Sequence, residues 1–409
     1  MTDSSDTPAA SGQATTDDVH ARLAYERSAR PRQYFAARRA ASPVDQGLDA
    51  DQCTLLRRPD VEHALRNWQD YSSDFGGIMG SEEPIIPLNV DPPAHVRYRR
   101  LLDPYFAPRK VAELQPAVQR HATDLVDGFV DRGSCDLSAE LAVPLPCSTF
   151  LSLLGLPLDE LDDLVRWKDI MIRPDHVTAD PDEALRLQAE TAMEIYGRFT
   201  AEVTDRRARP RDDLITYLTR AEIDGERLTD SELVRICFLL LAAGLDTVTI
   251  SLECIFAFLL EHDDARRMVV DEPGSEVDLV EEVLRVETPV QGVLRRTTRD
   301  IELGEGVVLP EGATVAIGLA SANVDPDGLP GADRVDVRRR DMRNLAFGGG
   351  PHRCLGSHLA RMELRTVVRT WHDRIPRYSL APGAEVVWNS SGLRGVDHLP
   401  LVWPGGGPA

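Results

Sequence analysis

Cys354 stands in the stretch Phe347-Gly348-Gly349-Gly350-Pro351-His352-Arg353-Cys354-Leu355-Gly356, directly ahead of a long helical pattern. Glycines let a backbone adopt conformations closed to other residues and approach a large ligand closely. A cysteine at the mouth of a helix meets unpaired N–H groups and the positive end of the helix dipole, which stabilise its thiolate. Phe347 is placed to pack beneath that sulfur, and His352 to hydrogen-bond a carboxylate on the same ligand. Such a loop can bind iron through one thiolate. Taken alone, it equally suits an inert, buried cysteine in a glycine-rich turn.

A second grouping, Ala243-Gly244-Leu245-Asp246-Thr247, lies in the middle of a long apolar segment. Gly244 costs about 1 kcal/mol relative to Ala in a helix interior, and Thr247 can compete for backbone carbonyls. A helix weakened there leaves room for a small ligand such as dioxygen; the plainer reading is a buried Asp capped by a neighbouring hydroxyl. His95 and Arg99 follow Asp91-Pro92-Pro93 and share one helical face, where they suit either a ligand carboxylate or a solvated basic surface. Glu282 and Arg285, three apart, also face the same way.

The elements that must position these groups are mostly helical. A capping box at Thr229 and Glu232 opens a helix predicted to run to about Glu261, long enough to cross a whole domain. Its apolar run would also fit a membrane span, but Asp246 and Glu253 argue for a buried central helix. Residues 110–220 read as amphipathic helices broken at Pro144, Pro146, Pro157 and Pro174, with Ile170, Met171, Ile172 and Met193 either roofing a pocket or filling core. After Pro289 short strands are expected, such as Val307–Leu309 and Ala313–Gly318. Beyond Cys354, Leu355, Leu359 and Met362 line one helical face, Ala360, Leu364, Val367 and Trp371 another, and Arg361, Arg365 and Arg369 face solvent or acids.

Composition narrows the class. The 409 residues suffice for a core that encloses a cofactor, and a net charge of −21 argues against nucleic-acid binding and anionic membranes. Six cysteines without CxxC or CxxH spacing give neither a zinc cage nor a disulfide framework, which fits a reducing cytoplasm. Residues 1–20 read as a disordered tail ahead of a single domain over 21–409.

The pattern Phe-x-x-Gly-x-x-x-Cys-x-Gly, met by Phe347, Gly350, Cys354 and Gly356, resembles the haem-binding loop of the cytochrome P-450 family. The resemblance spans residues 25–403 as an ordered series of motifs, and from Arg374 to Trp403 the chain is particularly similar to the bacterial camphor-hydroxylase branch. It implies a mainly α fold with small β-sheets, the cytochrome P-450 fold, with the long central helix over the haem. It implies haem b with Cys354 as axial ligand, His95, Arg99 and Arg295 on the propionates (Arg296 a close rival), and Phe347, His352 and Gly356 completing the cofactor site.

By the same resemblance Gly244, Asp246 and Thr247 form an oxygen-activating groove, with Thr247 bonding the oxygen side and Asp246 relaying protons. Glu282 and Arg285 belong to a buried stabilising network. Ile78, Ile85, Leu245, Val290, Val293 and Leu393 would line the pocket, with residues 71–93 as its lid. The implied activity is insertion of one oxygen atom from O2 into a C–H bond of an apolar terpenoid, steroid, fatty-acyl or polyketide compound. Electrons would come from NAD(P)H through a ferredoxin reductase and a ferredoxin docking on Arg97, Arg100, Arg109, Lys110, Arg353, Arg361 and Arg365, unless these are scattered solvated arginines. A cytoplasmic bacterial monomer, free of membrane and nucleic acid, is expected. The alternatives are a haem-dependent peroxygenase or isomerase on the same scaffold, and a non-catalytic haem sensor.

Overall fold

The computed structural model describes residues 25–46, 52–76, 83–223, 225–341, 343–389 and 393–405; the expected tail 1–20 and Ile78 lie outside them. Helices dominate. Those around the site are α1 (Ala94–Leu102), α2 (Leu161–Ile172), α3 (Pro181–Ala208), α4 (Asp230–Gly244), α5 (Asp246–Glu261), α6 (Glu276–Glu287) and α7 (Ser357–Arg374). One five-stranded sheet is built from β1 (Val44–Gln46), β2 (Gln52–Leu55), β3 (Tyr71–Ser72), β4 (Val293–Thr297) and β5 (Thr314–Ile317), in the order β1-β2-β5-β4-β3. β5 runs parallel to β2 and antiparallel to β4, so a strand from the chain's start is joined to two from its second half.

The central helix begins as its sequence dictates. Thr229 accepts from the Glu232 N–H and Glu232 accepts from the Thr229 N–H, which closes the capping box. The expected single helix is broken at Leu245, between α4 and α5. α4 buries Leu233, Ile236, Phe238 and Leu241 in a core shared with α2 and α3. α5 buries Leu252, Ile255, Phe256 and Leu259 in a second core with α6 and α7. The segment Asp230–Glu261 is apolar enough by length and composition to cross a membrane, yet Asp246 and Glu253 are each 1 % exposed inside the domain. It is the core helix joining two halves of the protein.

Two expectations need correction here. Pro146 does not break a helix: it sits in the first turn of Pro144–Leu154, where a missing N–H costs nothing. Met193 does not roof a pocket, being 76 % exposed on α3, whereas Ile170 and Met171 are buried. The α7 stripe meets acids: Arg361 and Arg365 both pair with Glu281, and Arg369 with Asp373.

Glu282 and Arg285 on α6 form a fully buried, two-pronged pair at 2.7 and 2.8 Å. Arg285 also donates to the carbonyls of Asn323, Ala332 and Arg334, and Glu282 accepts from the Asp336 N–H. Every polar atom is therefore used to tie α6 to the long connection that leads to Cys354. Removing one partner leaves a buried charge without compensation, so Arg285→Ala should cost about 3–5 kcal/mol. Denaturant unfolding checks this; a midpoint equal to wild type would contradict the assignment.

Candidate active site

The Cys354 loop owes its shape to positions where only glycine fits. Gly348 and Gly350 adopt φ of +65° and +62°, and a Cβ on Gly350 would fall 1.9 Å from the Leu65 carbonyl oxygen. The Cys354 N–H donates to the Phe347 carbonyl at 2.9 Å, which closes the loop three residues before α7 begins. Of the six free cysteines, Cys354 is the exposed one. Burial pushes Cys135, Cys147, Cys237 and Cys254 up to about 12, fixing them as inert thiols. For Cys354 burial by the loop walls also raises the thiol, opposed by the Gly356 N–H and by Arg99, Arg361 and Arg353. A metal at this sulfur would select the thiolate outright. Phe347 packs against the α5–α7 core and carries the Arg361 guanidinium 4.2 Å above its ring.

Three distant segments bring the expected carboxylate-binding groups together. His95 from α1 and His352 from the cysteine loop lie with ring centroids 4.1 Å apart. Each has a buried ring nitrogen without a partner, Nδ1 of His95 and Nε2 of His352. Burial first, then neighbouring cations, pushes His95 down to about 4 and His352 to about 3. Arg295 from β4 is 8 % exposed and donates only to the Leu294 carbonyl. The rivalry with Arg296 is settled by strand alternation: Arg295 faces inward, while Arg296 is exposed over the Phe75 ring. Arg99 reaches the Arg353 carbonyl at 2.7 Å and Asp103 at 2.7 Å. Orphaned donors and a buried, unpaired guanidinium beside a lone accessible thiol fit a haem with its two propionates.

The helix break exposes Ala243 and Gly244, and a Cβ on Gly244 would meet nothing within 4 Å. The Thr247 hydroxyl donates to the Ala243 carbonyl at 3.0 Å, and Ser251 donates to Thr247 at 2.6 Å. Asp246 points the other way. Its carboxylate, 1 % exposed, meets Arg173 at 3.0 and 3.1 Å and Lys168 at 3.5 Å. Lys168 and Arg173 went unnoticed in the sequence because they are some 75 positions from Asp246, with no spacing rule to connect them.

Among the pocket candidates, Ile85 and Leu245 are corrected: 5 % and 0 % exposed, both are packed into the α2–α4 core rather than facing a cavity. Leu245 turns inward because the helical residue after Gly244 points about 100° away from the groove. Val290 and Leu393 are brought together by a strand-like bridge, and Val293 packs against the five-stranded sheet.

A mainly helical domain with one exposed cysteine in a glycine loop ahead of a helix, and a hydroxyl-lined break in its central helix, has the features of a haem-thiolate protein class. The Cytochrome P450 family model matches residues 157–275 and 277–371. The chain is 34% identical to the vitamin D(3) 25-hydroxylase of Pseudonocardia autotrophica, over 91% of this chain and 93% of that one. It is 35% identical to the 6-deoxyerythronolide B hydroxylase of Saccharopolyspora erythraea, over 81% and 80%. The solved structure of CYP109Q5 from Chondromyces apiculatus superposes with a TM-score of 0.84 at 31% identity, covering 93% of this chain and 97% of that one. The chain belongs to the cytochrome P450 family, and it is a P450 monooxygenase of the bacterial type.

Two further buried acids, Glu253 on α5 and Glu363 on α7, are pushed up to about 8 by burial. A carboxyl whose folded value lies above its unfolded one stabilises while protonated, and that contribution is lost as pH rises from the unfolded value through about 8. Between pH 5 and 8 the melting temperature of wild type should therefore fall more steeply than that of Glu363→Gln. Parallel melting curves for the two would contradict the burial argument.

Proposed function

We propose that this enzyme inserts one oxygen atom from O2 into a C–H bond of an apolar small molecule, with electrons from NAD(P)H passed through a ferredoxin reductase and a ferredoxin. The observation that carries this reading is the Thr247 hydroxyl in the helix break, with Asp246 directly behind it. Haem held through Cys354 would supply the oxygen chemistry, the thiolate favouring O–O cleavage. His95, Arg99, Arg295 and His352 would hold its carboxylates. Because Thr247 spends its proton on Ala243, its oxygen is free to accept a hydrogen bond from the groove. Asp246 moves protons from the Arg173 side toward that hydroxyl, and Val290 and Leu393 present an apolar wall to the substrate.

The acid–hydroxyl pair favours a monooxygenase over a peroxygenase or isomerase, neither of which needs protons delivered to an oxygen side. A steroid-like or polyketide-like substrate accords with the hydroxylases of vitamin D(3) and 6-deoxyerythronolide B among the relatives. For ferredoxin docking, the unpaired arginines are the better candidates. Arg361 and Arg365 are neutralised by Glu281, whereas Arg100, Arg109 and Arg353 have no ion pair among the described residues. Opposed surface charge speeds encounter without large affinity, which suits a transient electron donor. A bacterial cytoplasm is the setting this donor chain implies.

Two experiments test the reading. The reduced, carbon monoxide-bound protein should show the red-shifted Soret band of a thiolate-ligated haem, and Cys354→Ser should lose it; a wild type without that band sinks the haem-thiolate site. Thr247→Ala should keep consuming NAD(P)H while oxygenated product falls on the order of 10²-fold, the usual contribution of a group positioned for proton transfer. Unchanged coupling of electrons to product would remove Thr247 from the mechanism.

A further inference from the structure

A second recess lies between the turn that follows α1 and the short helix Leu214–Arg220. None of its lining residues belongs to the haem-thiolate site. The cleft is open to solvent and measures about 500 Å³, a volume that suits a small-molecule ligand. Its floor is aromatic. The rings of Tyr105 and Tyr217 lie with centroids 5.1 Å apart, tilted by 43°, with Pro104 and Ala221 beside them. Both tyrosines are half-buried, so part of each ring is left for a ligand.

The walls are held in place from outside the cleft. The Tyr217 hydroxyl donates to the Leu101 carbonyl at 2.9 Å, which ties the short helix to α1. The Arg211 N–H donates to the Thr216 hydroxyl at 2.9 Å, and Asp213 accepts from the Thr216 N–H at 2.7 Å. Burial above all, then Asp212 and Asp213, pushes Tyr105 up to about 12, so it stays an uncharged phenol.

On a protein whose net charge is −21, the rim of this cleft is basic. Lys110, Arg211 and Arg220 line it, facing the carboxylates of Asp212 and Asp213. Asp213 is 4 % exposed and already spent on Arg206 at 2.6 Å and on the Thr216 N–H. Lys110 stands 5.2 Å from the centre of the Tyr105 ring and pairs with Glu113, while Arg211 pairs with Asp205. Ion pairs at the surface are weak and easily exchanged for a ligand anion. Arg220 is exposed and has no ion pair among the described residues. Three cations therefore face one uncommitted carboxylate, Asp212.

We propose that this cleft binds a small aromatic anion, a flat ring system bearing a carboxylate, laid on the Tyr105–Tyr217 pair with its charge turned to Arg220 and Lys110. Tilted rings accept a further ring edge-on or offset, and an arginine takes a carboxylate through two parallel N–H bonds. An uncharged ring would leave the cations unused, and a non-aromatic anion would leave the tyrosines unused. Both features are needed to account for the site.

The probe is 2-naphthoate, titrated into the haem-loaded enzyme by calorimetry, with an expected Kd on the order of 0.1 mM for a ligand of this size. The Soret band, recorded in the same titration, should stay unchanged, because the cleft shares no residue with the haem site. Arg220→Gln alters an exposed side chain and should fold as wild type does, with affinity weakened about tenfold by the loss of a charge-assisted contact. Tyr105→Leu should weaken binding similarly. The uncharged alcohol analogue and cyclohexanecarboxylate should each bind several-fold more weakly than naphthoate. A Soret shift that tracks the binding isotherm would move the ligand to the haem pocket and overturn the proposal. Wild-type affinity in Arg220→Gln, or no saturable binding at all, would overturn it equally.

Discussion

Around Cys354 the protein buries more hydrogen-bonding groups than it can satisfy, the Arg295 guanidinium among them, and the architecture follows from that imbalance. Arg295 has no carboxylate partner among the described residues, His95 and His352 keep orphaned ring nitrogens, and Asp91 comes no nearer His352 than 4.0 Å. Buried donors without acceptors are costly, more so when charged. Three elements far apart in the chain, α1, β4 and the cysteine loop, are held to this arrangement by the rest of the fold. A dianionic ligand relieves the cost, so cofactor binding and folding stability are linked. The Glu282–Arg285 pair belongs to the same logic: it clamps the connection into the cysteine loop, so the cationic pocket is held open from behind.

The central helix solves the opposite problem, opening a gap in an otherwise continuous apolar element. Two hydroxyls one turn apart bond carbonyls four residues back, Thr247 to Ala243 and Ser251 to Thr247, while Thr249 is shared between the Leu245 carbonyl and the nearer Ala142 carbonyl. Such back-bonding loosens the backbone ladder and bends helices. With Gly244 leaving the groove open, the break falls where the site needs space, while α4 and α5 keep their separate cores. The weakness is local because each half is anchored by its own packing.

What could be read from the sequence was whatever depends on short-range spacing. The capping box, the glycine loop, the i,i+3 pair on α6 and the hydrophobic faces of α7 all obey local periodicities, and the structure carries each of them. Local reading failed where three-dimensional direction decides. Leu245 and Ile85 have the right chemistry for a pocket wall, yet they point into the core, since one helical step or one turn of a loop reverses a side chain's outlook. The basic surface was over-counted for a similar reason: Glu281, on α6, lies some 80 positions from Arg361 and Arg365, and only the packing of α6 on α7 makes them partners. Arg173 and Lys168 were invisible because an ion pair across 70 residues leaves no pattern.

Asp246 looks out on a mixed cluster, with four carboxylates, Asp246, Glu253, Asp169 and Asp397, around two cations, Lys168 and Arg173. Burial raises Glu253 to about 8, so at neutral pH it mostly keeps its proton, leaving three anions to two cations. The surplus negative charge sits on Asp169 and Asp397, which reach the surface, where water screens it and the buried part of the cluster can persist without strong net cost. Each cation that holds Asp246 is shared with a carboxylate at the protein's edge, Arg173 with Asp397 and Lys168 with Asp169. The acid behind the helix break is therefore gripped from two sides by groups that are themselves anchored at the surface, which fixes its position without sealing its counter-ions in the core.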